Sequence, residues 1–298
     1  MTYLNEEEHP VVVGVDGSES ALRAVRWAAG EAARRRVPLR LLHICHLVPV
    51  RHPRQVSPPA DFQAAILDQG RHWLTEAAEA ARRVSPDLPV TSDVRDGVPA
   101  DVLITESRTA QLVVLGSRGL GGFTAMLVGS VAVALAAHGH CPAVVVRSTV
   151  DAPEDGPVVV GVDGSELSDA AMTFAFEVAA GHGVPLVAVH TWQDSGITGA
   201  WAVLPGTIDW DWLQAEAEKL LAERLAAWRD KFPQVEVRAV VERSRPELAL
   251  LTHAAGARLL VVGSRGRGAV AGLGLGSVSQ YLLHHAECPV AVARTEPT

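Results

Sequence analysis

The chain reads as α/β, two doubly wound parallel five-stranded sheets in tandem, and three observations carry that reading. The sequence repeats itself at an offset of 147 residues: Gly116, Gly119 and Gly129 in "VLGSRGLGGFTAMLVGS" return as Gly263, Gly266 and Gly276 in "VVGSRGRGAVAGLGLGS". Within each copy, apolar runs of strand length alternate with helical patterns. Runs such as "VVVGV" and "LVVLG" do not alternate with polar residues, as expected of parallel strands covered on both faces.

The elements of the first copy follow in order. A strand near residues 11–16 ends at Asp16, and "DGSES" then has the makeup of a cap for a helix over 19–36. "VPLRLLH" opens a strand over 39–47, and its Pro38 and His43 recur as Pro185 and His190 in "VPLVAVH". A helix over 60–84 contains Trp73, and a strand over 89–95 follows. The next helix, 98–109, holds Pro99, which matches Pro246, and leads to the strand at 111–116. The glycine-rich segment comes next, and Ser130 is placed to cap a helix over 130–138. Cys141-Pro142, matched by Cys288-Pro289, opens the last strand at 142–147. The second copy repeats the order. "STVDAPEDGP", residues 148–157, is polar with two prolines and reads as a linker, which sets the domains at 1–148 and 156–298.

Composition removes several classes of function. A 298-residue chain with 48% hydrophobic residues can bury two cores. A net charge of −8 argues against a surface that gathers phosphate backbones or anionic lipid, so neither nucleic acid nor membrane is an expected partner. The segment "MTYLNEEEHP" is acidic and lacks the basic and apolar regions of a signal peptide, which predicts a cytosolic protein. Three cysteines, Cys45, Cys141 and Cys288, without CxxC spacing fit a reducing compartment.

The glycines carry the chemistry. In an open α/β sheet, ligands sit outside the carboxyl ends of the strands where the strand order reverses. If the fourth strand returns to the far side of the first, the loops after Asp16 and Gly116 flank one crevice. Missing Cβ atoms at Gly116 and Gly119 let backbone N–H groups approach a bulky anion and permit positive φ. The free N–H groups and dipole of the helix after Gly129-Ser130 favour a phosphate. Gly263, Gly266, Gly276 and Ser277 read the same way. Arg118 and Arg265 would either add charge to a phosphate or point into solvent. Asp16 and Asp163 would accept hydrogen bonds from a ribose or base, help hold Mg²⁺, or cap the following helix, and these roles can divide between Asp16 and Ser18.

The pattern Gly116-Ser117-Arg118-Gly119, nine residues, Gly129-Ser130, and its copy Gly263-Ser264-Arg265-Gly266, nine residues, Gly276-Ser277, each paired with an Asp ending the first strand, resembles the universal stress protein family. The resemblance covers nearly the whole chain, once per half. It implies the ATP-binding branch, with sheets ordered 3-2-1-4-5 as in the nucleotide α-hydrolases. It implies that Gly14, Val15 and Asp16 line a nucleotide site, that Ile44 meets adenine through its backbone and that Leu115 flanks base or ribose. It further implies that Gly119, Gly129, Ser130 and Val131 hold phosphates. The second set implied is Gly161, Val162, Asp163, Thr191, Val262, Gly266, Gly276, Ser277 and Val278. The second glycine loop carries further glycines at 268, 272 and 274. In this family the halves of a tandem chain pack as a pseudo-dimer through their last strands, here "AVVVR" and "VAVAR", and chains can associate further.

The function expected is ATP binding, with Mg²⁺, by a regulator of a stress or dormancy response that has little or no turnover and an unnamed downstream partner. No Walker sequence occurs, and neither copy pairs carboxylates or places a histidine as general base beside the glycine loop, so no catalytic residue is assigned. An ATP-cleaving enzyme of the nucleotide α-hydrolase group is the alternative, although its Ser-Gly-Gly loop is only loosely matched by "VDGSES". A scaffold with relic loops is a third. "HGHC" at 138–141 and "HHAEC" at 284–288 have metal-ligand composition but unequal spacing and no fourth partner, and read as helix ends before buried strands. His43 and His190 read as satisfied core histidines, and Trp73, Trp210, Trp212 and Trp228 as packing residues. The unlike loops at 47–59 and 192–206 read either as sites of partner recognition or as variable surface connections.

Overall fold

The computed structural model describes residues 9–45, 60–119, 128–147, 153, 155–192, 209–266 and 274–294. The chain divides into two compact units, Met1–Thr149 with Glu296–Thr298, and Val150–Thr295. The first unit runs β1 (Val11–Gly14), α1 (Glu19–Arg35), β2 (Leu39–Cys45), α2 (Ala60–Val84), β3 (Val90–Asp96), α3 (Pro99–Glu106), β4 (Leu112–Gly116), α4 (Ser130–His138) and β5 (Ala143–Val146). Its strands are ordered β3-β2-β1-β4-β5, all parallel. The second unit runs β6 (Val158–Gly161), α5 (Glu166–His182), β7 (Leu186–Thr191), α6 (Trp210–Lys231), β8 (Val237–Glu242), α7 (Pro246–His253), β9 (Leu259–Gly263), α8 (Ser277–His285) and β10 (Val290–Ala293). Its parallel order is β8-β7-β6-β9-β10. Every strand of the second unit begins 147 residues after its counterpart.

Short β-branched runs form the central strands because both faces are covered: Val11, Val13, Leu112, Val113 and Val114 are wholly buried. On α1 the fully buried Ala24, Ala28 and Ala32 recur at helical spacing, and their small side chains let the helix lie close to the sheet. The outer strand β3, "VTSDVRD", is polar and half exposed, which makes it a poor template for further pairing. In the second unit α6 docks on α5 through a ring stack, Phe176 lying 5.9 Å from Trp228 and 5.5 Å from Phe232.

Helix α3 stops at Glu106, short of the expected 109. Ser107 ends it, its hydroxyl donating to the Ile104 carbonyl (2.6 Å) while accepting the His140 N–H (2.9 Å). Trp73 and Trp228 pack as expected, whereas Trp212 is 59% exposed and Trp210 37%. Trp210 instead meets the Arg243 guanidinium, 3.5 Å from its ring centroid. The loops at 47–59 and 193–206, Gly268, Gly272 and most of the linker lie outside the described residues.

Strand β1 pairs with β2 on one side (Val11↔Leu39) and with β4 on the other (Val11↔Leu112). The chain therefore leaves β1 in one direction and returns to its far side, so the loops after Gly14 and Gly116 diverge from adjacent strand ends. That divergence opens a crevice.

Candidate functional site

A cavity of about 390 Å³ occupies the crevice of the first unit. One wall is the turn leaving β1, with Gly14, Val15 and Asp16; the facing wall is the loop leaving β4, with Leu115, Gly116, Arg118 and Gly119. The first turn of α4 closes one end through Gly129, Ser130, Val131 and Ala132. Ile44 at the end of β2, Ala21 of α1, and Pro99 and Leu103 of α3 complete the lining. The volume suits a small-molecule ligand.

Asp16 is held by its neighbour. Its Oδ1 accepts from the Ser18 backbone N–H (3.1 Å) and from the Ser18 hydroxyl (2.7 Å). Ser18 is itself the cap of α1, its Oγ accepting the Ala21 N–H at 3.1 Å. Ser18, and not Asp16, caps α1, and Asp16 is oriented with Oδ2 toward Gly119. A Cβ at Gly119 would run into that Oδ2. The glycine loop is tied back to α1 as well, since the Arg118 carbonyl lies 3.2 Å from Ser18 Oγ and the Arg118 N–H 3.4 Å from Ser20 Oγ. The Arg118 side chain is left exposed at the cavity mouth.

The structure corrects the reason for two glycines. Positive φ occurs among the described glycines at 17, 97, 164, 183 and 256, not at Gly116 or Gly119. Gly116 lacks a side chain because a Cβ there would meet Ser20 backbone atoms at 2.6 Å; close packing of α1 on β4, and not backbone conformation, selects it. Positive φ is needed instead at Gly17 (φ +84°), where the Trp73 ring of α2 fills the space a Cβ would take.

The start of α4 is also corrected. Gly129, not Ser130, is the cap, with extended backbone (φ −69°, ψ 148°) and no side-chain hydrogen bond, and Ser130 is the first helical residue. Gly129 is positioned by its N–H donating to the Ser117 carbonyl at 2.9 Å. Without a side-chain cap, the first N–H groups of α4 are left facing the cavity, the positive end of the helix dipole behind them. Among the described residues, a Cβ on Gly129 would have only the Ser117 carbonyl oxygen within reach, at 3.9 Å, so none of them requires glycine there.

Of the residues singled out in the first half, Ser117 alone lies behind the wall, 1% exposed. Ala21, Pro99, Leu103 and Ala132 line the cavity without having been singled out. Pro99 carried a signal in its match to Pro246; the others come from helices whose facing the repeat pattern does not reveal.

The second unit repeats the arrangement with Gly161 ending β6, Val162 and Asp163 following it, and Val262 and Gly263 ending β9. Asp163 Oδ1 accepts from the Ser165 N–H (2.9 Å) and hydroxyl (2.7 Å), and Gly266 faces its Oδ2 as Gly119 faces Asp16. Gly276 is the uncapped start of α8, ahead of Ser277 and Val278, and its N–H donates to the Ser264 carbonyl at 2.8 Å. Thr191 ends β7, as Ile44 lies at the end of β2. Ser264 is wholly buried. Arg265 is more withdrawn than Arg118, and its Nε is buried without a hydrogen-bond partner among the described residues. Burial, and then the nearby Arg265 charge, push the Arg294 guanidinium below its usual range. The Asp163 turn is braced by Arg224 of α6, which donates to the Gly164 carbonyl at 2.9 Å where the first unit uses Trp73.

His43 is a satisfied core histidine, its Nδ1 2.8 Å from the Val15 carbonyl, and His190 repeats this with Val162 at 2.7 Å. No group of three or more His, Cys, Asp or Glu able to hold a metal occurs among the described residues. Burial raises the Cys141 thiol from 9.0 to about 12, which keeps it protonated. No helix among the described residues is long and apolar enough to cross a membrane.

The model of the universal stress protein family matches residues 8–147 and again 156–294. A universal stress protein of Mycobacterium tuberculosis is 40% identical over 294 residues, covering 97% of this chain and 98% of the relative. The crystal structure of a universal stress protein from Archaeoglobus fulgidus superposes with a TM-score of 0.68 at 22% identity, over 96% of this chain and 98% of that one. A universal stress protein in complex with cAMP aligns with 47% of this chain and 98% of its own, at 26% identity and a TM-score of 0.36.

Proposed function

Because the chain belongs to the universal stress protein family, matched once in each half, we propose that it binds adenine nucleotide, ATP with Mg²⁺, and regulates a cytosolic stress or dormancy response through its nucleotide-bound form. The observation that carries this reading is the start of α4: a helix with no side-chain cap, beginning at a glycine whose missing Cβ leaves room, opens into a cavity with an apolar floor. A phosphate chain suits the helix end, and a flat base suits the floor.

The residues fit such a ligand. Leu103, Leu115, Pro99 and Ile44 would enclose the base, and Asp16, held by Ser18, would accept from ribose hydroxyls or help hold Mg²⁺. Main-chain N–H groups from Gly129 to Ala132 would bind phosphate oxygens, with Arg118 adding charge from the mouth. Gly161, Val162, Asp163, Thr191, Val262, Gly263, Arg265, Gly266, Gly276, Ser277 and Val278 would serve in the second half. Domains 1–148 and 156–298 would act as an intrachain pair, with association of two chains a further part of the reading. No general base is assigned, so turnover well below the enzymatic median of about 10 per second is expected.

The test is the nucleotide content of the protein as purified, released by denaturation and chromatographed, together with calorimetric titration of ATP. Adenine nucleotide in the supernatant and saturable ATP binding support the reading. No binding at millimolar ATP overturns it, as does release of AMP and pyrophosphate at an enzymatic rate.

A further inference from the structure

The offset of 147 residues pairs each residue lining the first crevice with a counterpart in the second. At the phosphate end the lining glycines, the arginine, and the Ser-Val step opening α4 and α8 are all kept. Four lining positions differ. Ala21 becomes Ser168, Ile44 becomes Thr191, Leu115 becomes Val262 and Ala132 becomes Ser279. Three of these replace an apolar side chain with a hydroxyl, and the fourth shortens one.

Two of the hydroxyls are already committed. Ser279 donates to the Gly263 carbonyl at 2.6 Å, tying the first turn of α8 to the end of β9, a bond that Ala132 cannot make. Ser168 donates to the Ser165 carbonyl (2.8 Å) and accepts the Gly164 N–H (3.2 Å). Each has spent its one proton on the protein, so it offers a ligand no donor while withdrawing apolar surface from the lining. A base entering the second crevice therefore finds the same grip on its phosphates and less to pack against.

Resting on the nucleotide reading above, we propose that the two halves are unequal ATP sites: the first crevice binds tightly, and Ser168, Thr191, Val262 and Ser279 make the second the weaker one. The carbon lost at Val262 together with the hydroxyls at Ser168, Thr191 and Ser279 sets the separation at roughly tenfold. Over that interval of ATP concentration the chain is filled in its first half only, which makes half-occupancy a distinct state.

The experiment titrates ATP into the full chain by calorimetry. Wild type should show one tight equivalent and one about tenfold weaker, and Gly129→Ala should weaken the tight class by at least about tenfold. The swap Ser168→Ala/Thr191→Ile/Val262→Leu/Ser279→Ala should bring the two classes together, and the single Ser279→Ala, a milder change, should move part of the way. The reverse change Ala132→Ser should weaken the tight class. Two equal sites in wild type overturn the inequality, and swaps that leave the separation unchanged overturn its assignment to these four residues, while in both cases the nucleotide reading stands. No binding in either half overturns both.

Discussion

Gly129→Ala separates the ligand's demands from the protein's. Among the described residues, the added methyl would lie 3.9 Å from its nearest reachable neighbour, the Ser117 carbonyl oxygen, an ordinary contact, and φ of −69° is open to any residue. Alanine is a poorer cap than glycine, but it lowers the entropy of the unfolded chain by about 0.4–1 kcal/mol. These effects oppose each other, so stability should stay within about 1 kcal/mol of wild type and Tm within a few degrees. Binding is different. The methyl stands where an anion must approach the uncapped N–H groups of α4, and losing one charge-assisted hydrogen bond costs about 1.5–3 kcal/mol, or roughly 10- to 150-fold in Kd. Thermal melts and ATP titration of the same preparation read both quantities. A variant that binds ATP within about twofold of wild type would show that no phosphate sits at this helix end. One that loses several kcal/mol of stability would show that the glycine serves the fold.

Three further outcomes follow from local geometry. Gly17→Ala meets both a left-handed φ of +84° and the Trp73 ring, and should lower stability in urea denaturation by about 2–4 kcal/mol; a loss under about 0.5 kcal/mol would contradict the account of that turn. Ser18→Ala removes the cap of α1 and the partner of Asp16, and should cost about 0.5–2 kcal/mol of stability and weaken ATP binding, whereas an unchanged Kd would leave Asp16 without a role in the site. Burial raises the Cys141 thiol from 9.0 to about 12, so the folded chain keeps a proton that the unfolded chain releases. That contribution is intact below pH 9.0 and is lost as pH rises toward about 12, at roughly 1.4 kcal/mol per unit. Cys141→Ala should flatten this alkaline limb, and parallel limbs for the two proteins would contradict the assignment.

Much of the architecture was legible in residue order because it rests on periodicity. Short apolar runs rich in β-branched valine suit strands covered on both faces, and "VVVG", "LVVLG" and "AVVV" became β1, β4 and β5. The repeat placed the strands of the second half at the same offset. Helix ends were less legible. Gly129 took the cap expected of Ser130, and α3 stopped at Ser107 because a hydroxyl there meets His140, 33 residues on.

Sequence alone determined the two-fold repetition, the parallel α/β class and the walls of the crevice, since each follows from spacing along the chain: period, offset and the position of glycine after a strand. Tertiary structure alone decided why those glycines are needed and which helix faces complete the site. Gly116 is selected by Ser20 and Gly119 by Asp16, while Ala21, Leu103 and Ala132 reach the cavity only once α1, α3 and α4 are docked. Such contacts join residues about a hundred positions apart, and the repulsion of a Cβ that was never added leaves no mark on local pattern.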